Sequence, residues 1–212
     1  MNTLIIWMIS VMLLISPINP KFESEQEHAD RMERIAEDIV SITYDKAEAP
    51  IIRIGKDPRR LATMLVFEVA KHESSFYYNI DKNKGYKPRG DNGRSWCLMQ
   101  IHIGKGKTFQ GWTGPELIAD RKKCLKAGYQ YMKQSFGACR RYGQAYGLSA
   151  YASGSCNKAR NISKEMVNMG FYYYYKSPKI SDDQILTFLY SSEQEELRYD
   201  DEDENLPFDK TR

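Results

Sequence analysis

Histidine is scarce in this chain, with three in 212 residues. His72 stands beside Glu73, but the second histidine of a zinc-binding H-E-x-x-H would fall on Phe76, so that motif fails. Cysteine is scarce too, at four, and no two form a C-x-x-C pair. A zinc site is therefore not expected, and neither is any cofactor. No arginine-rich arm, zinc-finger spacing or RNA-binding signature is present, which argues against a nucleic-acid partner. No apolar run reaches the roughly 20 residues of a spanning helix. The longest uncharged stretch of that kind, LIIWMISVMLLISPI at 4–18, has fifteen.

That length suits the apolar region of a secretory signal. Two features fit poorly: MNT offers only the α-amino group as positive charge, and no clear A-x-A site follows. Cleavage near Ser16 and retention as an uncleaved anchor both fit. A core helix ranks lower, because Pro17 and Pro20 break the chain just after it. Residues 1–20 are thus expected to be a signal peptide or membrane anchor. The protein is expected to be exported to the periplasm or cell envelope, with membrane association through residues 4–18. Cys97, Cys124, Cys139 and Cys156 all lie beyond this segment. An even set of cysteines after an export segment reads as a disulfide framework, with three pairings open.

The composition is that of a globular protein, 42% hydrophobic and 28% charged. Residues 191–212 hold nine acids against three bases, so a chain of net +3 has a body of +9. A basic body favours polyanionic partners, though only weakly. Residues 23–48 read as a charged amphipathic helix with Met32, Ile35, Ile39 and Ile42 at helical spacing. Asp57 and Pro58 form a helix start, and 58–72 is apolar nearly all round, as in a buried helix. Residues 79–95 read as a loop rich in Gly, Asn, Asp and Lys. Helices are expected at 115–134, 139–151 and 182–190, and the acidic tail is too poor in apolar residues to fold alone. The aromatic run at 171–175 is expected in a helix or strand packed on the domain. This gives a mainly α chain. Its parts are 1–20, a helical extension at 21–56, one domain at 57–178 and a C-terminal segment at 179–212.

Glu73 stands where the buried helix ends and shares a helical face with Ala62, Val66 and Val69. Desolvation and the negative end of the helix would both raise its pKa, as suits a general acid. Downstream come CLMQIHIG at 97–104, ELIADRKKCLKAGYQYM at 116–132 and LSAYASGSC at 148–156. The pieces Glu73 and Ser74, Leu98 to Ile101, the helix around Asp120 and Gly128, and Ala150 and Tyr151 run in a telling order. Their order resembles that of lytic transglycosylases and goose-type lysozymes, over about residues 58–160. Cys97 stands where that family usually has Gly, Cys124 where it has Asn, and Ala152 where it has Asn.

The resemblance implies a lysozyme-like fold, monomeric, acting on the glycan strand of peptidoglycan. Glu73 would be the catalytic acid and base. Ser74, Met99, Gln100 and Tyr151 would contact substrate or orient Glu73, with Met99 lining the cleft. His102 is expected to be structural. In such enzymes the muramic 6-hydroxyl attacks its own C1 and closes a 1,6-anhydro ring, so one protein carboxylate suffices. A hydrolytic muramidase of the same fold is the alternative, with Asp81 or Asp91 as its second carboxylate. A glycan-binding component that does not cut is a further one. Because Cys97 and Cys124 both replace residues of the expected motif, they are expected to bond to each other. Cys139 and Cys156 would then enclose the segment ending at Tyr151, and closing so short a loop is worth about 3 kcal/mol.

Overall fold

The computed structural model describes residues 3–84 and 90–179. The described chain is mainly helical. Eight α-helices run in order: α1 (Thr3–Ile15), α2 (Glu25–Tyr44), α3 (Pro58–Ser74), α4 (Tyr78–Asp81), α5 (Gly114–Ala119), α6 (Arg121–Ala138), α7 (Ser149–Ser153) and α8 (Arg160–Lys176). Two short strands, β1 (Ser95–Trp96) and β2 (Ile101–His102), form an antiparallel pair with Ser95 opposite His102.

The central helix is α3. Asp57 caps it by accepting a hydrogen bond from the Arg60 amide at 2.9 Å, and Pro58 occupies the first turn. Leu61, Met64, Leu65, Val66, Phe67 and Val69 are all fully buried. Each such side chain contributes roughly 1.5–3 kcal/mol by leaving water. A helix buried on every side needs neighbours on every side, and α2, α6 and α8 pack against it. The first of these, α2, opens with a Ser24–Glu27 capping box and turns Met32, Ile35, Ile39 and Val40 inward. It is stitched to α3 as well: the Thr43 and Thr63 hydroxyls meet at 2.8 Å, and Arg59 donates to the Thr43 carbonyl. The segment expected as an N-terminal extension therefore shares one core with the domain.

The apolar N-terminus also packs on this core. Residues expected to be a signal or anchor form α1, with Leu4, Ile5, Met8 and Met12 fully buried. Trp7 meets Phe67 of α3 and Tyr173 of α8 edge-on or tilted, at 6.1 and 5.6 Å. Pro17 and Pro20 end the helix without preventing it from packing. No described helix is long and apolar enough to cross a membrane.

Three other elements depart from the sequence reading. The expected helix at 115–134 is two, because Asp120 adopts an extended conformation, ends α5 and caps α6 through the Lys123 amide. The expected helix at 139–151 is two 3-10 turns followed by α7, with Gly143 between the turns at φ +95°. Within 79–95, α4 and a 3-10 turn at Asp91–Gly93 add local order to the expected loop. The aromatic run at 171–175 lies in α8, with Tyr173 and Tyr174 buried and Tyr172 and Tyr175 exposed. The helix expected at 182–190 and the acidic tail lie outside the described residues.

The two disulfides pair as expected. Cys97 bonds to Cys124 and Cys139 bonds to Cys156. The first ties the β1–β2 turn to α6, and the second closes the segment that carries α7. Two such bonds fit an exported protein in an oxidising setting.

Candidate active site

The site begins at the C-terminal end of α3, which runs two residues further than the apolar pattern indicates and so includes Glu73 in its last turn. The backbone beyond it is held firmly. Ser75 adopts the left-handed conformation and its amide donates to the Lys71 carbonyl at 2.7 Å. The Ser74 hydroxyl donates to the Ala70 carbonyl at 2.6 Å and accepts from the Phe76 amide at 3.2 Å. The Phe76 carbonyl accepts from the Arg31 guanidinium at 2.7 Å and from the Ser16 hydroxyl at 3.1 Å. Arg31 is itself buried and pairs with Glu23 through two nitrogens at 2.8 Å. Burial works to raise the Glu23 pKa, but Arg31 and His28 outweigh it and leave the carboxyl lowered. A charged, hydrogen-bonded buttress thus fixes the turn that aims Glu73.

Glu73 opens into a cavity of about 850 Å³. Its walls include Gln100 and the β2 residues Ile101 and His102, Tyr131, Gln134 and Ser135 of α6, and Ala150, Tyr151 and Ala152 of α7. The Glu73 side chain retains 22% of its exposure. The fully desolvated position suggested by its apolar helical face is therefore not realised, because the last turn of α3 faces the cavity rather than the core. His72 Nδ1 lies 3.8 Å from Glu73 Oε1, an ion-pair distance too long for a hydrogen bond. The Glu73 carboxylate is the main cause that raises the His72 pKa above its usual value.

Gln100 and Tyr151 enter by backbone devices. Cys97 and Gln100 both have left-handed backbones in the β1–β2 turn, with φ +59° and +45°. The Gln100 side chain donates to the Cys97 carbonyl at 3.0 Å and accepts from the Gly90 amide at 2.8 Å, so it also fastens the preceding loop. Tyr151 is seated on α6, where Ser135 accepts from its amide at 2.9 Å and donates to the Gly147 carbonyl at 2.6 Å. The Tyr151 hydroxyl donates to the Met99 carbonyl at 2.6 Å. Burial, with a smaller push from the Glu73 charge, raises the phenol well above its ordinary range and keeps it a donor.

Two expected substrate contacts do not face the cavity. Ser74 is buried and spends its hydroxyl on backbone groups at the end of α3. Met99 is fully buried and packs its side chain on Gly128 of α6, where a Cβ would come within 3.0 Å of three Met99 atoms. Only Gly allows that approach, and only the Met99 carbonyl serves the site, through Tyr151. Both residues support the site from below rather than line it.

The two candidate second carboxylates separate cleanly. Asp81 is buried and bonded to Arg121 at 3.0 and 2.8 Å, with Asp38 on the same guanidinium at 3.2 Å. It ties α4 to α2 and α6 and does not line the cavity. Asp91 does line it. Its Oδ2 accepts from the Ser95 hydroxyl at 2.6 Å and faces His102 Nδ1 at 3.0 Å. These two bonds hold the Asp91 carboxyl below the usual range. His102 was expected to be structural, and it serves Asp91 from the cavity wall. The pleat offered a signal: in a short hairpin, Ser95 and His102 face each other across the strands and so reach one partner together.

No family model, curated protein or solved structure gives a significant match to this chain. Among the described residues, no group of three or more His, Cys, Asp or Glu side chains could hold a metal ion.

Proposed function

We propose that this chain is an exported, lysozyme-like lytic transglycosylase that cuts the β-1,4 bond between N-acetylmuramic acid and N-acetylglucosamine in peptidoglycan. The observation that carries the reading is the convergence of Glu73, Gln100 and Tyr151, distant in sequence, on one cavity. Glu73 protonates the glycosidic oxygen as its bond to C1 breaks. The muramic 6-hydroxyl then bonds to C1 and returns its proton to Glu73, leaving a 1,6-anhydro end. The buttressed end of α3 supports this role, because an acid must stay within hydrogen-bond reach through both proton transfers. The Tyr151 hydroxyl, bound to the Met99 carbonyl, fixes the wall next to Glu73.

One observation favours hydrolysis instead. Asp91 lines the same cavity and is anchored by Ser95 and His102, so it could hold a water. Its lowered pKa counts against it, since a weakly basic carboxylate is a poor acceptor of a proton from water. Mass spectrometry of digested peptidoglycan separates the two. Muramic ends one water lighter than reducing ends are expected, and they should persist with Asp91→Asn. Reducing ends, lost with Asp91→Asn, would make the enzyme a muramidase.

A further inference from the structure

The hairpin after β2 carries a feature that the cleavage chemistry does not use. Lys107 and Thr113 bridge antiparallel, the Thr108 amide donates to the Trp112 carbonyl at 2.8 Å, and the Gly111 amide returns to the Thr108 carbonyl at 2.9 Å. Thr108 is buried and its hydroxyl accepts from the Trp112 amide at 3.2 Å. The tip is therefore a fixed turn. Phe109 sits on it with 66% of its surface in water. Its ring is not loose, because it lies 4.7 Å from the ring of Tyr131, tilted by 38°. Tyr131 is half-buried on α6 and is itself part of the cavity wall.

We propose that Phe109 and Tyr131 form an aromatic platform that binds a sugar ring of the glycan strand beyond the cleavage point. This rests on the reading of the cavity as a glycan site. An isolated exposed apolar side chain needs no explanation, but this one packs on Tyr131, a residue of the cavity wall. Its rings also match the ligand. The C–H faces of an N-acetyl hexopyranose stack on aromatic faces, and a rigid two-ring ledge loses little entropy on binding. Other exposed aromatics do not fit. Tyr172 and Tyr175 lie on α8 and meet the rings of Tyr173 and Tyr174, and neither these four nor Tyr77 line the cavity.

The test uses the full chain carrying Glu73→Gln, which binds without cutting, and β-1,4-linked N-acetylglucosamine oligomers as probes. Calorimetric titration should show the hexamer bound about tenfold more weakly once Phe109→Ala is added, the usual effect of truncating one aromatic anchor. The dimer should bind unchanged, because it need not reach the ledge. Phe109→Trp should bind the hexamer as the parent does, and its thermal midpoint guards against a folding artefact. Equal hexamer affinity in Phe109→Ala overturns the platform while leaving the cavity reading intact. Equal weakening of hexamer and dimer also overturns it, since Phe109 would then act on the cavity itself. If the Glu73→Gln parent binds no oligomer, the glycan reading fails and the platform with it.

Discussion

Glu73 is a residue whose neighbours explain its position better than its own surroundings do. Ser74, Ser75 and Phe76 each lock a backbone group, and Arg31 locks the last of these from another helix. Glu73→Gln keeps every one of those bonds. It should therefore fold with an unchanged thermal midpoint and lose at least ~10²-fold in wall lysis, the usual cost of removing a general acid. Turbidity loss at a tenth of the parent rate would end the assignment of Glu73 as the acid. Cys97 is the second instructive residue. Its left-handed backbone is a conformation that favours Gly, which is the residue usual at this position in the family that the motifs resemble. Here a side chain stands in a strained conformation, and its sulfur spans to Cys124 of α6.

At the scale of elements, α4 is a single turn held by a buried ion pair and by the stack of Tyr78 on Phe22. Asp81 joins Arg121 of α6, which also holds Asp38 of α2. Burial raises the Asp81 pKa, but the Arg121 hydrogen bonds and charge exceed it, so the folded value lies below the unfolded value near 3.8. A depressed acid stabilises the fold fully above its unfolded pKa, and that contribution fades as pH falls through the folded value. Asp81→Asn should cost about 3 kcal/mol at neutral pH, since it breaks a buried pair while Asp38 still faces Arg121. The gap between variant and parent should shrink in urea melts taken below pH 3.8, the unfolded value. A gap that stays constant with pH would show that the pair is not the source of the stability.

For the whole molecule, the question is whether α1 belongs to the working fold. Its four buried side chains and Trp7 cover α2, α3 and α8. Removing residues 1–20 uncovers Phe67 and Tyr173 and deletes Ser16, one of two donors to the Phe76 carbonyl. Several kilocalories of lost burial should lower the thermal midpoint by roughly 5–10 °C relative to the full chain. Equal midpoints would mean that the core closes without α1.

The sequence by itself determined the mainly helical class and the start and burial of α3, and its motif resemblance gave the two disulfide pairs and the cavity residues Glu73, Gln100 and Tyr151. These follow from short-range rules: a cap and proline at 57–58, apolar residues around a whole helix, and motifs that each fold within one element or turn. Tertiary structure alone decided the rest. An apolar helix reads the same whether it faces lipid, a translocation channel or a protein core, so the contacts of α1 with Phe67 and Tyr173 are visible only in the fold. Likewise Asp81 and Asp91 both stand in a polar stretch. Only the third dimension takes one to Arg121 in the core and the other to Ser95 and His102 at the cavity, because a carboxylate's role is fixed by partners that are remote in sequence.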